Sequence, residues 1–190
     1  MLAFSTSVSI ALAVSSSVAP PQGASPQLPA GFVAQEIGSG WAKPTSLCFI
    51  GEGRLLVGEK VGRLWYVEGS TKRNVVVSLE DEILSNGGRG LLGVAADPQF
   101  DTNGRIYLHY VVDPDANGDE SEQQSFSRLV RYTTEYEGGE LHVEPTSRVE
   151  LLGASTSSGI PSLYFSHAGG RLVDYGCGDG SFLEYAAEVL

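Results

Sequence analysis

Asp101-Thr102-Asn103-Gly104-Arg105-Ile106-Tyr107-Leu108 is the stretch that decides the fold class. An Asn-Gly pair is a strong turn signal because both residues tolerate positive φ, and the alternation that follows fits a half-buried strand. The same small unit, a turn glycine and an arginine leading into an apolar run, recurs at Gly53-Arg54-Leu55, Gly62-Arg63-Leu64 and Gly170-Arg171-Leu172. From Gly31 onward, short β-rich runs alternate with glycine turns, with almost no helical periodicity before the last dozen residues. The candidate strands are 32–37, 46–50, 54–59, 64–68, 74–78, 92–96, 106–112, 127–133, 141–144 and 147–152. The expected class is all-β. Turn-then-strand units at this spacing fit a β-propeller, whose blades are four-stranded sheets around an axis; a β-sandwich with fortuitous Gly-Arg pairs is the alternative.

Composition bounds the partners. The chain has 190 residues, enough for one domain core, with 42% apolar residues. Its 23 acidic and 12 basic residues give a formal charge of −11, which disfavours nucleic acid and anionic membrane and suits small neutral substrates or divalent cations. Residues 1–27 combine an apolar, small-residue stretch with a Pro/Ser/Ala linker, like the leader of an exported protein, although no Lys or Arg precedes Lys43. A disordered Ser/Ala/Pro tail is the alternative. The expectation is a signal-like segment over 1–27, a folded part over 28–190, no membrane span, and a secreted or periplasmic product. Cys48 and Cys177 have no zinc-type neighbourhood and read as buried or free thiols, with a disulfide permitted but not implied.

Two segments carry candidate chemistry. In Gly159-Ile160-Pro161-Ser162-Leu163-Tyr164-Phe165-Ser166-His167-Ala168-Gly169-Gly170-Arg171-Leu172, His167 has only small immediate neighbours. Its imidazole is free to face a ligand and accept a proton near neutral pH, the chemistry of a general base. The bland alternative is a turn histidine bonded to backbone. Asp113-Pro114-Asp115-Ala116-Asn117-Gly118-Asp119 sets oxygen ligands at alternate positions, with a glycine at the sixth, like the first half of a calcium loop. The twelfth position is Gln124 and the eighth is Glu120, so this is no EF-hand. The expectation is a long hairpin loop holding Ca²⁺ through Asp113, Asp115, Asn117 and Asp119, against a solvated polar loop. His109 and His142 fall in expected strands and read as packing or surface residues.

Several segments together resemble the glucose/sorbosone dehydrogenase family of soluble quinoprotein sugar dehydrogenases. They are Leu28-Pro29-Ala30-Gly31-Phe32, Gly58-Glu59-Lys60-Val61-Gly62-Arg63-Leu64, Arg89-Gly90-Leu91-Leu92-Gly93-Val94-Ala95-Ala96-Asp97-Pro98-Gln99-Phe100, Asn103-Gly104-Arg105-Ile106-Tyr107, and the His167 clause. The likeness runs in the family's order over about residues 28–173. It implies a six-bladed propeller of which this chain carries N-terminal blades only, a small-molecule sugar substrate, and pyrroloquinoline quinone (PQQ) as cofactor. It also implies that His167 removes the sugar C1 hydroxyl proton while hydride passes to the quinone. Gly88 stands where many quinone-binding members carry a glutamine. Arg89, beside it, is placed to pair with a quinone carboxylate or else to be a solvated turn arginine. After Val173 only the Asp-Gly turn of the family's next strand remains, and the blades that supply most of the family's cofactor clamp and calcium ligands do not follow. Open sheet edges then favour self-association. A non-catalytic binding module, or an inactive truncated product, are the alternative readings.

Overall fold

The computed structural model describes residues 28–116 and 125–162. They fall in two units, Met1–Gln35 and Glu36–Leu190. In the first, a turn closes from the Phe32 N–H to the Pro29 carbonyl at 3.1 Å, and Phe32 and Val33 are exposed.

The second unit opens with a meander of β1 (Pro44–Gly51), β2 (Arg54–Glu59), β3 (Arg63–Glu68) and β4 (Thr71–Ser78), each antiparallel to the next. Its hairpins turn where the Gly-Arg units stand: Gly53 and Gly62 take φ of 66° and 111°, and Arg54 and Arg63 open the next strands. The chain then forms β5 (Leu91–Ala96), a single-turn helix α1 (Phe100–Asn103), β6 (Arg105–Val112) and β7 (Phe126–Glu137). Three short strands follow, β8 (Glu140–Val143), β9 (Val149–Leu152) and β10 (Ile160–Pro161). β7 is the hub of the second sheet. One edge pairs with β6 along residues 126–133; the other pairs in turn with β10, β9 and β8.

The two sheets stack in the same strand order, β1 against β5 and β4 against β8. Leu56, Leu64, Tyr66 and Val76 of the first sheet meet Leu91, Ile106, Leu108 and Tyr110 of the second in one buried layer. At one end of the stack the Thr45 hydroxyl donates to the Leu91 carbonyl (2.6 Å), and Ser46 Oγ accepts from the Val94 N–H (3.0 Å). At the other, the Asn74 amide donates to the Leu141 carbonyl (2.7 Å). Successive antiparallel sheets stacked strand for strand are two neighbouring blades of a partial β-propeller, an all-β fold. This arrangement, not the sandwich, accounts for the Gly-Arg repeat.

One expectation is corrected. Residues 32–37 form no strand: none of them pairs in a ladder with any described strand, and Gly38 and Gly40 bend the chain with positive φ. The Asn103-Gly104 turn is present and closes a single helical turn just before β6. Asp97 Oδ1 accepts the Gln99 N–H (2.9 Å), the Phe100 N–H bonds the Asp97 carbonyl, and Gly104, at φ 60°, closes the turn onto the Phe100 carbonyl (2.8 Å). In the second sheet β7 is long enough to serve three short partners along one edge.

Candidate functional site

After β4 the chain runs back along the end of β6. The Leu84 N–H donates to the Val111 carbonyl (3.1 Å), the Asp113 N–H to the Glu82 carbonyl (2.9 Å) and the Val111 N–H to the Gly90 carbonyl (3.1 Å). Residues 82–84 therefore lie antiparallel to residues 111–113, and the chain returns to the same strand at Gly90 before entering β5. This brings Glu82, Arg89 and Asp113, dispersed in sequence, to one end of the second sheet.

Glu82 anchors the densest charged cluster there. Arg148 grips both its oxygens (2.7 and 2.8 Å), Arg128 adds a 2.5 Å contact, and the Tyr110 hydroxyl donates to the same carboxylate. Arg148 also reaches Glu150 at 2.9 Å. Burial pushes the Glu82 carboxyl up, but hydrogen bonds from Arg148, Tyr110 and Arg128, with the Arg148 charge, outweigh it and bring it to about 2. Burial and the Glu82 carboxylate push the Tyr110 hydroxyl up, so it stays protonated as a donor. A bidentate Arg–carboxylate pair inside a protein fixes geometry firmly. No spacing rule in the sequence announces it, since Glu82 and Arg148 stand 66 positions apart.

A second buried carboxylate, Glu59, holds the approach to the first sheet. It accepts the Ala42 N–H at 2.8 Å and lies 3.4 Å from the Lys72 ammonium, which sits 3.5 Å above the Trp65 ring and 4.3 Å above that of Trp41. Burial pushes its carboxyl up, yet these donors leave it below the usual range. Trp41 and Ile37 pack on Leu55, Val57 and Val67, on the face of the sheet opposite the main core.

Arg89 is 1% exposed, so the solvated reading does not hold. Its Nη2 donates to the Ser162 carbonyl at 2.9 Å. Asp113 is buried at the end of β6 and Asp115 is exposed just beyond it. Among the described residues no three His, Cys, Asp or Glu side chains group closely enough to hold a metal ion. Asn117, Asp119 and His167 lie outside the described residues, as does Cys177. His109 is buried in β6; His142 is on the surface of β8, 3.2 Å from Glu140. The Cys48 thiol donates to the Phe49 carbonyl at 3.4 Å. No helix among the described residues is long and apolar enough to cross a membrane.

The family model described as Glucose / Sorbosone dehydrogenase matches residues 41–152, from Trp41 to the end of β9. No curated protein matches the chain. Among solved structures it is similar to an oxidoreductase of Thermus thermophilus described as a glucose dehydrogenase, at 21% identity over 72% of this chain and 35% of that one (TM-score 0.49). It is also similar to the soluble aldose sugar dehydrogenase of Escherichia coli in its apo form (20%, covering 58% and 29%, TM-score 0.45). A third is the PQQ-bound aldose sugar dehydrogenase of Streptomyces coelicolor (20%, 63% and 33%, TM-score 0.47). The chain spans about a third of the length of these structures.

The Glu82 cluster predicts an acid limit. A carboxyl held below its ordinary 4.5 contributes stability that is fully present above that value and is lost as pH falls towards about 2. Urea unfolding of the wild type should weaken progressively between about pH 5 and pH 2, and Glu82→Gln should be less stable at pH 7 with a flatter profile. An unchanged profile in the variant would show that Glu82 is not the titrating group.

Proposed function

The chain belongs to the glucose/sorbosone dehydrogenase family, and we propose that it serves the oxidation of an aldose or sorbosone-type sugar at its C1 hydroxyl. His167 is the general base of this reading and PQQ the hydride acceptor. The observation that carries it is the family match over residues 41–152, continued in sequence by the Ser-His-Ala-Gly-Gly clause at residues 166–170.

The chemistry needs a base because hydride loss from a neutral alcohol builds oxocarbenium charge at C1. Taking the hydroxyl proton onto a neutral imidazole nitrogen in the same step cancels that charge and lowers the barrier. When bound, PQQ supplies the two-electron acceptor. Neither of the two positions that the resemblance singles out fits its carboxylates: Gly88 has no side chain, and the Arg89 guanidinium is enclosed and bonded to Ser162. The proton step therefore rests on His167. That misfit also favours a second reading, a propeller-family binding module without catalysis, since fold and activity are separate properties.

Two further features belong to the first reading. Ca²⁺ binds through Asp113, Asp115, Asn117 and Asp119, and residues 1–27 direct export to a secreted or periplasmic location.

The full chain incubated with PQQ and Ca²⁺ should reduce an artificial electron acceptor when aldoses are added, and His167→Gln should lower kcat about 10²- to 10⁴-fold with the fold unchanged. PQQ-independent or absent turnover, with no PQQ binding by fluorescence, would instead select the binding module. Titrating the folded chain with Ca²⁺ should raise its Tm, an effect that Asp113→Asn with Asp115→Asn removes; no shift in the wild type dismisses the calcium loop. Cell fractionation should recover a protein shortened at its N-terminus outside the cytoplasm, and recovery of the full-length chain inside it would overturn export.

A further inference from the structure

The two marginal strands of the first sheet are built differently. β4, at one margin, carries Lys72 and Arg73. Charged side chains of this kind guard an edge against pairing with another chain. β1, at the other margin, reads Pro-Thr-Ser-Leu-Cys-Phe-Ile-Gly, without one charged residue in a chain of formal charge −11. Pro44 removes a single N–H at its start. β5, at the margin of the second sheet, is equally uncharged, but none of its residues is exposed. In β1, by contrast, Leu47 is 61% exposed and Phe49 66%. Among the described strands β1 alone is at once long, marginal, uncharged and exposed.

Leu47 pairs across to Val57, and Phe49 to Leu55, so both side chains share the sheet face turned away from the main core. On that face Ile37 and Trp41 cover Leu55, Val57 and Val67. They leave Leu47 and Phe49 bare, beside an edge that pairs with no described strand. The strand is also flanked by opposite charges: Lys43 precedes it and Glu52 follows it, both exposed. A second copy answers each of these features with its own. Two identical edges related by a two-fold axis normal to the sheet run antiparallel. That keeps Leu47 and Phe49 of both copies on one face, and it sets the Lys43 end of each beside the Glu52 end of the other. Parallel pairing would turn the apolar pairs to opposite faces and bring like charges together. Eight residues span about 26 Å, so the contact is small and the dimer it makes is weak and concentration-dependent.

We propose that β1 is a docking edge for a second copy of this chain, which continues the first sheet antiparallel with Leu47 and Phe49 of both copies side by side. This does not rest on the sugar-oxidation reading, and either can fail without the other.

Sedimentation of the full chain in reducing buffer, where no disulfide of Cys48 or Cys177 counts as a dimer, should give a mass that rises from one chain towards two between about 2 and about 200 µM. Over the same range hydrogen exchange of residues 44–51 should slow at least about threefold, while β3 and β6 are unchanged. Leu47→Lys with Phe49→Lys should stay monomeric throughout. The charge-matched Phe32→Lys with Val33→Lys, at positions that are also exposed, should dimerise like the wild type. Lys43→Glu should raise the dimer Kd about three- to tenfold, and adding Glu52→Lys should restore it. A wild type that stays monomeric overturns the proposal, whether β1 exchanges fast because its edge is open or slowly because the chain covers it. So does a dimer that survives the two β1 lysines, which puts the contact elsewhere, and so does a charge swap without restoration, which excludes the antiparallel arrangement. Should the β1 lysine variant not fold, the concentration dependence of wild-type exchange over residues 44–51 decides the matter.

Discussion

The structure depends on one apolar layer, closed when two twisted sheets are laid face to face. Leu56, Leu64 and Tyr66 on one side and Leu91, Leu108 and Tyr110 on the other are almost wholly removed from water. Burial of this kind is non-directional and does not choose a register by itself. Direction comes from the polar ties at the two ends, Thr45 and Ser46 against β5 and Asn74 against Leu141. Those ties hold β1 beside β5 and β4 beside β8, which is what makes the pair of sheets two blades and not a slipped sandwich.

Once the sheets are stacked, the chain linking them has little freedom. Residues 79–91 must pass from the outer strand of one sheet to the inner strand of the next, and they do so along the end of β6. Glu80 and Asp81 stay exposed, but two polar side chains of this segment turn inward and find partners: Glu82 takes Arg128, Arg148 and Tyr110, and Arg89 takes the Ser162 carbonyl. Buried ionic groups add little net stability over apolar ones of equal size, but losing one partner is expensive. Here they define a crossing that hydrophobic contact alone would leave loose.

The family assignment and the geometry bear on different claims. The match over residues 41–152 establishes kinship, while activity depends on a base, a cofactor seat and a substrate pocket. The described residues supply a framework as far as Ser162, whose carbonyl Arg89 holds. This gives the arginine beside Gly88 a physical reason that a cofactor contact would not: it is inside the protein because the carbonyl it holds is inside.

Sequence alone determined the all-β class, the position of nearly every strand, the Gly-Arg turns and the family. These are local signals: a glycine that must take positive φ, an alternation of period two, and an ordered set of short motifs. Even so, local signals misread residues 32–37, where β-forming side chains have no strand to pair with among the described residues. The candidate site was legible only in part. His167 and the 113–119 loop stand out by composition, and Arg89 by its place beside Gly88, but its burial and its partner did not. Tertiary structure alone decided that, together with the Glu82 cluster, because their partners lie 28 to 73 positions away. Whether a charge at such a position is solvated or enclosed depends on which surfaces the sheets cover when they stack, and no neighbouring residue carries that information.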